Sequence, residues 1–492
     1  MNSTYTIQNK NFDKNRVFIL QNSELEKRLD PSWYVYLKSV NSFRYNKIAL
    51  KKLLLENPQY GANEIGIIRN NISEPRYIRI TDINEFGELD KDFGKTASLI
   101  EDKYILEEND LLLARSGNTV GKSYLHKDVG YECFFAGYMI RFKIDAEKVL
   151  PQYVFAYTQT TFYKNWVKAI QRATGQPNIN AEEYRNLEIP LPNIEIQNKV
   201  VEFLNQALEK KKQYEIQSEK LLASIDDYLL GELGITLPAE NDYSELSVQQ
   251  QGFELNKQNS LVKKGRLFLT MYSKTENRID PEYYRLYYYK LFNEIKNILH
   301  CKLKDLTQLI DYGLMPTQDY AADENSGIPF IRVTNILPSG EIDMSDIKYI
   351  PFDTPRIEQK RVKENDILMV QCGSTTGKVA IVPKEYENYL ANSFSFIIRS
   401  NENIRQDFLF YVLGSRIVQM QIVRSQNIVS VRPNTSKPAV ENLLIPLPIL
   451  EQQTKIAEHI SEIRQQAKHL QNEAKNILEN AKREIEKIIL GK

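Results

Sequence analysis

Two stretches carry residues spaced as a phosphate-binding loop would space them. "RSGNTVGKSYL" runs from Arg115 to Leu125, and "QCGSTTGKVAI" from Gln371 to Ile381. A P-loop wraps backbone amides around a phosphate and needs four residues between its glycines, then Lys and a Mg-binding hydroxyl. Gly117 and Gly121 are separated by three residues only, and Ser116 stands where the first glycine belongs. In the second stretch Lys378 is followed by Val379, so the hydroxyl is absent. "DPSW" (30–33) and "DPEY" (280–283) approach the Asp-Pro-Pro-Tyr motif of amino-methyltransferases, but both lack the second proline and no glycine-rich methyl-donor motif precedes them. His126, His300, His459 and His469 are scattered, as are Cys133, Cys301 and Cys372. Neither a zinc site, nor a disulfide framework, nor His-based nucleophilic catalysis follows from such spacing. The residues that resemble chemistry are read instead as turns.

Both glycine stretches belong to a repeat, which must be settled before any fold assignment. "RVFILQNSELEKRLDPSWY" (16–34) matches "RLFLTMYSKTENRIDPEYY" (266–284) at an offset of 250. "YIRITDINEFGEL" (77–89) matches "FIRVTNILPSGEI" (330–342) at 253, and "LEENDLLLARSGNTVGK" (106–122) matches "VKENDILMVQCGSTTGK" (362–378) at 256. At 256 again, "QPNINAEEYRNLEIPLPNIEIQNKV" (176–200) matches "RPNTSKPAVENLLIPLPILEQQTKI" (432–456). Leu230-Gly231 and Leu490-Gly491 then correspond at 260, four residues more.

Each copy has the same internal order. Short β-branched and aromatic runs come first: "RYIRITDI", "DLLLARSG" and "GYMIRFKI", with partners "PFIRVTNI", "DILMVQCG" and "FSFIIRS". Gly, Asn, Asp and Pro bound them, as strands and tight turns require. Two strands are expected to meet at a glycine-dependent turn around Gly117–Gly121 and again around Gly373–Gly377. "IPLP" (189–192 and 445–448) reads as an extended lead-in that stops strand and helix alike. A long helix follows in each copy. Ile456, Ile460, Ile463, Ala467, Leu470, Ala474, Ile477 and Ala481 keep a four-three spacing. Ile196, Val200, Phe203 and Ala207 open the same register earlier, and Leu221, Leu222, Ile225, Tyr228 and Leu229 close it. Such stripes are coiled-coil seams, with charged residues such as those of "EKKKQYEIQSEK" on solvated faces. Neither helix has a partner within its own copy, so the two are expected to pair antiparallel and hold the lobes apart.

The bulk composition fits this reading. The chain has 492 residues, 42% hydrophobic and 26% charged, and its 64 basic and 64 acidic residues cancel, so any nucleic-acid surface must be local. No apolar run approaches the roughly 20 residues of a membrane span, and the polar start "MNSTYTIQNKNFDKN" does not read as a signal peptide. A cytoplasmic protein in a reducing compartment is expected.

Two mixed globular regions, each followed by Ile-Pro-Leu-Pro and a long helix, resemble the specificity subunit of type I restriction-modification systems. The resemblance implies an α+β chain of two pseudo-repeated target recognition domains, with the two helices packed as an antiparallel coiled coil. The implied boundaries are recognition domain 1 over 1–194, spacer helix 1 over 195–232, a linker over 233–265, recognition domain 2 over 266–450 and spacer helix 2 over 451–492. It further implies double-stranded DNA as ligand, one half-site per domain, with helix length setting the gap. Partners would be methyltransferase subunits, two of them, and restriction or translocase subunits. The chain itself would be non-catalytic and hold no cofactor, with S-adenosylmethionine and ATP/Mg on the partners. Two other readings share these features: a DNA-reading module of another phage-defence or lone methyltransferase complex, and an architectural coiled-coil scaffold.

Duplication sorts the candidate contacts. A residue shared by both copies cannot distinguish two unlike half-sites; it folds the lobe or grips phosphate, which carries no sequence information. Arg79 and Arg332, Thr81 and Thr334, Lys122 and Lys378, and Asn178 and Asn434 are shared. For the two arginines a structural ion pair is equally open, whereas the turn lysines are expected to be exposed. Base readers are sought among loop positions that differ, Arg115 against Gln371, Asn118 against Ser374, and Gln176 against Arg432, with a turn-stabilising role equally open for each. Arg pairs two-pronged with guanine, Gln and Asn with adenine. An asymmetric bipartite target follows.

Overall fold

The apolar runs form strands in both copies. A computed structural model describes residues 31–40, 43–90, 94–117, 119–171, 177–237, 283, 286–426 and 433–490. Most of the match at 16–34 and 266–284, most of the linker, and the Asp of each "DP" pair lie outside the described residues. In the first lobe one antiparallel sheet has the order Gln59–Tyr60, Met139–Lys143, Asp110–Ala114, Ser123–Leu125. A second has the order Ile67–Ile68, Lys95–Thr96, Arg76–Ile78, Cys133–Phe135, its last pair parallel. The second lobe repeats this. Thr307–Tyr312, Ser395–Ser400, Ile367–Val370 and Val379–Ile381 make one sheet, and Lys348–Pro351, Gly327–Ile331 and Leu390–Ala391 the other, again closing on a parallel pair.

The central strands read as unbroken apolar runs because both of their faces are covered. Successive side chains of a strand point to opposite faces. Leu111 and Leu113 enter a core with Tyr153, Tyr157 and Trp166 from helices Pro151–Thr158 and Thr161–Ile170. Leu112 enters a separate core with Tyr77, Phe134 and Phe135. Ile367 and Met369 against Leu368 and Val370 divide in the same way. Each such side chain contributes about 1.5–3 kcal/mol by leaving water.

"IPLP" departs from expectation. Its first two residues are strand: Glu188–Pro190 pairs with Lys47–Ala49, and Leu444–Pro446 with His300–Lys302. These ladders are two-stranded, so proline sits where no second neighbour asks for its missing N–H.

The long helices run Ile194–Leu233 and Leu450–Leu490, 40 and 41 residues, about 60 Å each at ~1.5 Å per residue. A buried glutamine fixes the start of each. Gln197 donates from Nε2 to the Pro192 carbonyl at 2.9 Å and accepts the Leu150 N–H at 2.9 Å. Gln453 does the same with Pro448 (2.8 Å) and Arg405 (2.9 Å). Replacing Gln453 by Ala strands a buried carbonyl and an amide, and should lower stability by about 1–3 kcal/mol in urea unfolding of the whole chain.

The chain divides into two compact units, and the division cuts both long helices. One unit gathers the chain up to Ile216 with residues from Leu470 onward; the other is Gln217–His469. Within the first, Val200 and Leu204 share a core with Ile485 and Ile489, while Ala207 meets Leu478 and Ala481, so the helices run antiparallel. Within the second, the Tyr228 ring lies 4.3 Å from that of His459 and Glu232 pairs with Lys455 at 3.1 Å, again antiparallel. Each lobe docks onto the arm that follows the other copy. Glu486 accepts the N–H and hydroxyl of Thr161 at 2.6 and 2.7 Å. Asp226 accepts the Arg416 N–H at 3.2 Å and its Nε at 2.7 Å. Both carboxylates thereby sit at the N-terminus of a lobe helix, where negative charge is favoured.

The seam departs from the expected stripe in three places. Leu204 is buried and Phe203 is 36% exposed. Leu478 takes the buried place assigned to Ile477, because a straight helix drifts relative to a strict heptad. Lys211, expected on a solvated face, is buried: it pairs with Glu88 of the lobe at 2.8 Å and lies 5.3 Å above the Phe86 ring.

Candidate nucleic-acid interface

The glycine stretches are tight connections between antiparallel strands, as expected. Asp110–Ala114 returns as Ser123–Leu125, and Ile367–Val370 as Val379–Ile381. Gly117 and Gly121 take φ of 79° and 86°, Gly373 and Gly377 take 100° and 91°. That region disfavours a side chain. At Gly121 a Cβ would also drive into Val167, and at Gly377 into Gln419.

The shared lysines of these turns are not exposed hooks. Lys122 Nζ donates to the carbonyls of Ile83 at 2.6 Å and Ile80 at 3.3 Å, and Lys378 Nζ to Ile336 at 3.2 Å. Each is half-buried and ties the turn to the bend after the first "IRITDI" or "IRVTNI" strand. Burial pulls the Lys122 ammonium below its usual range, with Asp90 and Glu85 pulling the other way. The expectation of exposure fails because the loop folds back over the lysine stem.

For the shared arginines the ion-pair alternative is the one adopted. Arg79 forks onto Asp82 at 2.5 and 3.0 Å, while Arg332 reaches Asp346 at 2.8 Å and the Asn335 amide oxygen at 3.3 Å. Thr81 and Thr334 are exposed beside them.

The remaining candidates that are described, Arg115, Gln371, Ser374, Asn178 and Asn434, lie at the two turns. Arg115 and Gln371 directly follow their strands and are fixed there by backbone hydrogen bonds. The Arg115 N–H donates to the Tyr138 carbonyl at 2.9 Å, and the Arg115 carbonyl accepts from Ile179 at 2.8 Å. Gln371 repeats this with Phe394 (2.8 Å) and Thr435 (2.9 Å). Ser116 bridges to Asn178 and Cys372 to Asn434; both asparagines are exposed, as is Ser374 on its turn. Gly117 and Gly373 donate to the carbonyls of Pro177 and Pro433 at 3.1 and 2.9 Å, drawing Pro177–Asn178 and Pro433–Asn434 against the turns. Asn118, Gln176 and Arg432 lie outside the described residues.

Arg115 is the distinctive member. Its guanidinium lies 4.8 Å over the Tyr60 ring, and its Nε is buried without a hydrogen-bond partner. Arg79, Arg141, Arg332, Arg399 and Arg416 all meet carboxylates. Among the described residues no carboxylate pairs with Arg115. A planar guanidinium stacked on a tyrosine is the side chain best suited to bidentate hydrogen bonding.

Sequence reading missed two features of this face. "QYGAN" and "DYGLM" repeat Tyr-Gly at an offset of 252 (Tyr60-Gly61 and Tyr312-Gly313), after which the copies diverge. That short match was the available signal. Tyr138 and Phe394 were read as strand, but the strands begin at Met139 and Ser395, and both rings stand on turns. Among the described residues no group of three or more His, Cys, Asp or Glu is placed to hold a metal, and no helix is long and apolar enough to cross a membrane.

The chain is similar to several known proteins. The MjaVIII type I restriction enzyme specificity subunit of Methanocaldococcus jannaschii is 21% identical over 375 residues, covering 75% of this chain and 76% of its own. The EcoBI specificity subunit of Escherichia coli is 28% identical over 153 residues, 31% of each chain. The crystal structure of the HsdS subunit from Thermoanaerobacter tengcongensis aligns over 91% of this chain and 97% of its own, at 15% identity and a TM-score of 0.34. A family model described as type I restriction modification DNA specificity domain matches residues 34–218 and again 296–480, once per copy and over most of the chain. This chain belongs to that family, whose members are the non-catalytic DNA-targeting subunits of type I restriction-modification systems.

Proposed function

We propose that each lobe reads one half of an asymmetric bipartite DNA site, and that the chain directs adenine methyltransferase subunits, two per chain, and restriction subunits to it. One observation carries this reading. The two lobes build the same frame, a strand end, a glycine turn and a bridge to an exposed asparagine, yet present Arg115 in one and Gln371 in the other. A common scaffold with different donor patterns is what two unlike half-sites require. Both arm helices take part in both units, which supports a gap set by helix length. S-adenosylmethionine and ATP/Mg belong, in this reading, to the partner subunits, and the complex works in the cytoplasm.

The test is a methylome of cells with and without the chain. A gapped adenine-methylated motif should appear only with it. In cells carrying Arg115→Gln, one position of one half-site should change, with discrimination against the original base of about 10-fold or more. An unchanged motif would remove Arg115 from base readout; loss of both half-sites together would mean it acts through the fold.

A further inference from the structure

Tyr138 and Phe394 are corresponding residues, 256 apart. Each is the third residue of a tight turn, closed by Met139 N–H to the Ala136 carbonyl and by Ser395 N–H to the Asn392 carbonyl, both at 2.9 Å. The strand residues leading into these turns, Phe135 and Ala391, are fully buried, yet the two rings are 67% and 47% exposed. Single exposed apolar residues are ordinary. Here the exposure recurs at one position of two copies whose loops otherwise differ.

The rings also have company. The carbonyls of Tyr138 and Phe394 accept from Arg115 and Gln371, so each turn is hydrogen-bonded to a candidate reader. The neighbouring segments pair with the same turns through Ala62–Ala136 and Leu314–Asn392. They bring further exposed apolar surface, Ile65 in one lobe and Met315 in the other, the latter touched by the Ser393 hydroxyl at 3.2 Å.

A shared feature cannot distinguish half-sites, and a shared exposed ring does not serve the core. One copy carries a hydroxyl and the other does not, so the common element is the aromatic face. From this geometry we infer that Tyr138 and Phe394 are equivalent aromatic contacts to duplex DNA, one per lobe, each pressing its ring on the deoxyribose surface beside the reader. The contact adds affinity without selecting a base, because the sugar surface is the same at every base pair. The inference rests on the lobes being DNA readers.

The experiment uses the full chain copurified with its methyltransferase subunits. The probes are a duplex carrying the motif found in the wild-type methylome and a duplex with scrambled half-sites. Tyr138→Ala and Phe394→Ala should each weaken binding roughly 10-fold on both duplexes, the loss of a partly buried ring. The salt slope should stay unchanged, since no cation is lost. Tyr138→Phe and Phe394→Tyr should bind as wild type, with all four variants melting alike. Wild-type affinity in both Ala variants would overturn the inference. So would loss of the copurifying methyltransferase, which would make the rings a protein-docking surface, or an altered methylated motif, which would make them base selectors. If the wild-type complex bound both duplexes equally, the underlying DNA-reading assignment would fail instead.

Discussion

Replacing Arg399 by Met should destabilise the second lobe by about 3–5 kcal/mol, the loss typical when one partner of a buried ion pair is removed. Arg399 holds Asp366 through two hydrogen bonds of 2.7 Å. The carboxylate is 1% exposed and otherwise accepts the Lys363 N–H at 2.7 Å. Without the guanidinium a buried charge keeps one neutral donor, between the apolar cores that Ile367 and Leu368 enter. The first lobe has no such pair: Lys143 stands at the position of Arg399 and pairs with Glu107 at 2.8 Å, leaving Asp110 to an arginine two residues earlier. Arg141 stands 3.5 Å from Asp110 and spends itself on the carbonyls of Ile105 (2.8 Å) and Lys103 (3.2 Å) and on the side chain of Gln59. Burial therefore dominates and raises the Asp110 carboxyl above the usual carboxylate range, with the Glu107 N–H and Arg141 opposing it. A folded pKa above the unfolded one favours the protonated form, so the stability it gives is complete below the unfolded pKa and lost as pH rises through the folded value. Asp110→Asn should remove that dependence, and Arg399→Met should be the more damaging change at neutral pH. Urea unfolding of both variants across acid and neutral pH checks the order; equal losses would contradict it.

That asymmetry shows where sequence reading stops. "DLLLA" and "DILMV" align residue for residue, and the repeat placed strands, turn glycines, arm helices and their antiparallel sense. The strength of a contact was invisible: where the second copy has Arg399 on Asp366 the first has Lys143, which goes to Glu107, and Asp110 is left to Arg141, whose other partners include the Ile105 and Lys103 carbonyls. The seam failed at Phe203 for a related reason. Period alone names two adjacent apolar residues as equivalent, and only packing of Leu204 with Ile485 and Ile489 decides between them.

The candidate interface was legible through difference between the copies and poorly legible through likeness. Arg115 against Gln371 stood out as a substitution inside a matched turn, and the structure sets both at strand ends beside exposed asparagines. The shared residues were ambiguous, since folding and phosphate binding both preserve a cation. Lys122 and Lys378 proved to be staples of backbone carbonyls, a role no spacing announces. Tyr138 and Phe394 were hidden because a ring at the edge of an apolar run reads as strand until the turn is seen.

Gly313→Ala should cost about 3 kcal/mol, at the upper end of what overpacking a tight core produces. A Cβ there would fall within 3.0 Å of the backbone oxygens of Ala391 and Asn392, and at Gly61 equally close to those of Phe135 and Ala136. These are main-chain atoms, so no rotamer change relieves the clash. The strand ends must separate, stretching the bonds from Gly313 N–H to Ser395, Leu314 N–H to Ala391 and Ser393 N–H to Leu314, of 3.0, 2.7 and 2.9 Å. Those bonds carry the turn on which Phe394 stands, and the Phe394 carbonyl holds Gln371. The damage should therefore reach the candidate interface before the lobe unfolds: if each lobe reads one half-site as proposed, binding to the second lobe's half-site falls at temperatures well below melting while the first lobe's is kept. Gly61→Ala should give the mirror result, with readout through Arg115 lost and the second half-site kept. Methylomes of the two variants measure this directly, and simultaneous loss of both half-sites in either one would show that the Tyr-Gly pair supports the whole chain and not its own reader.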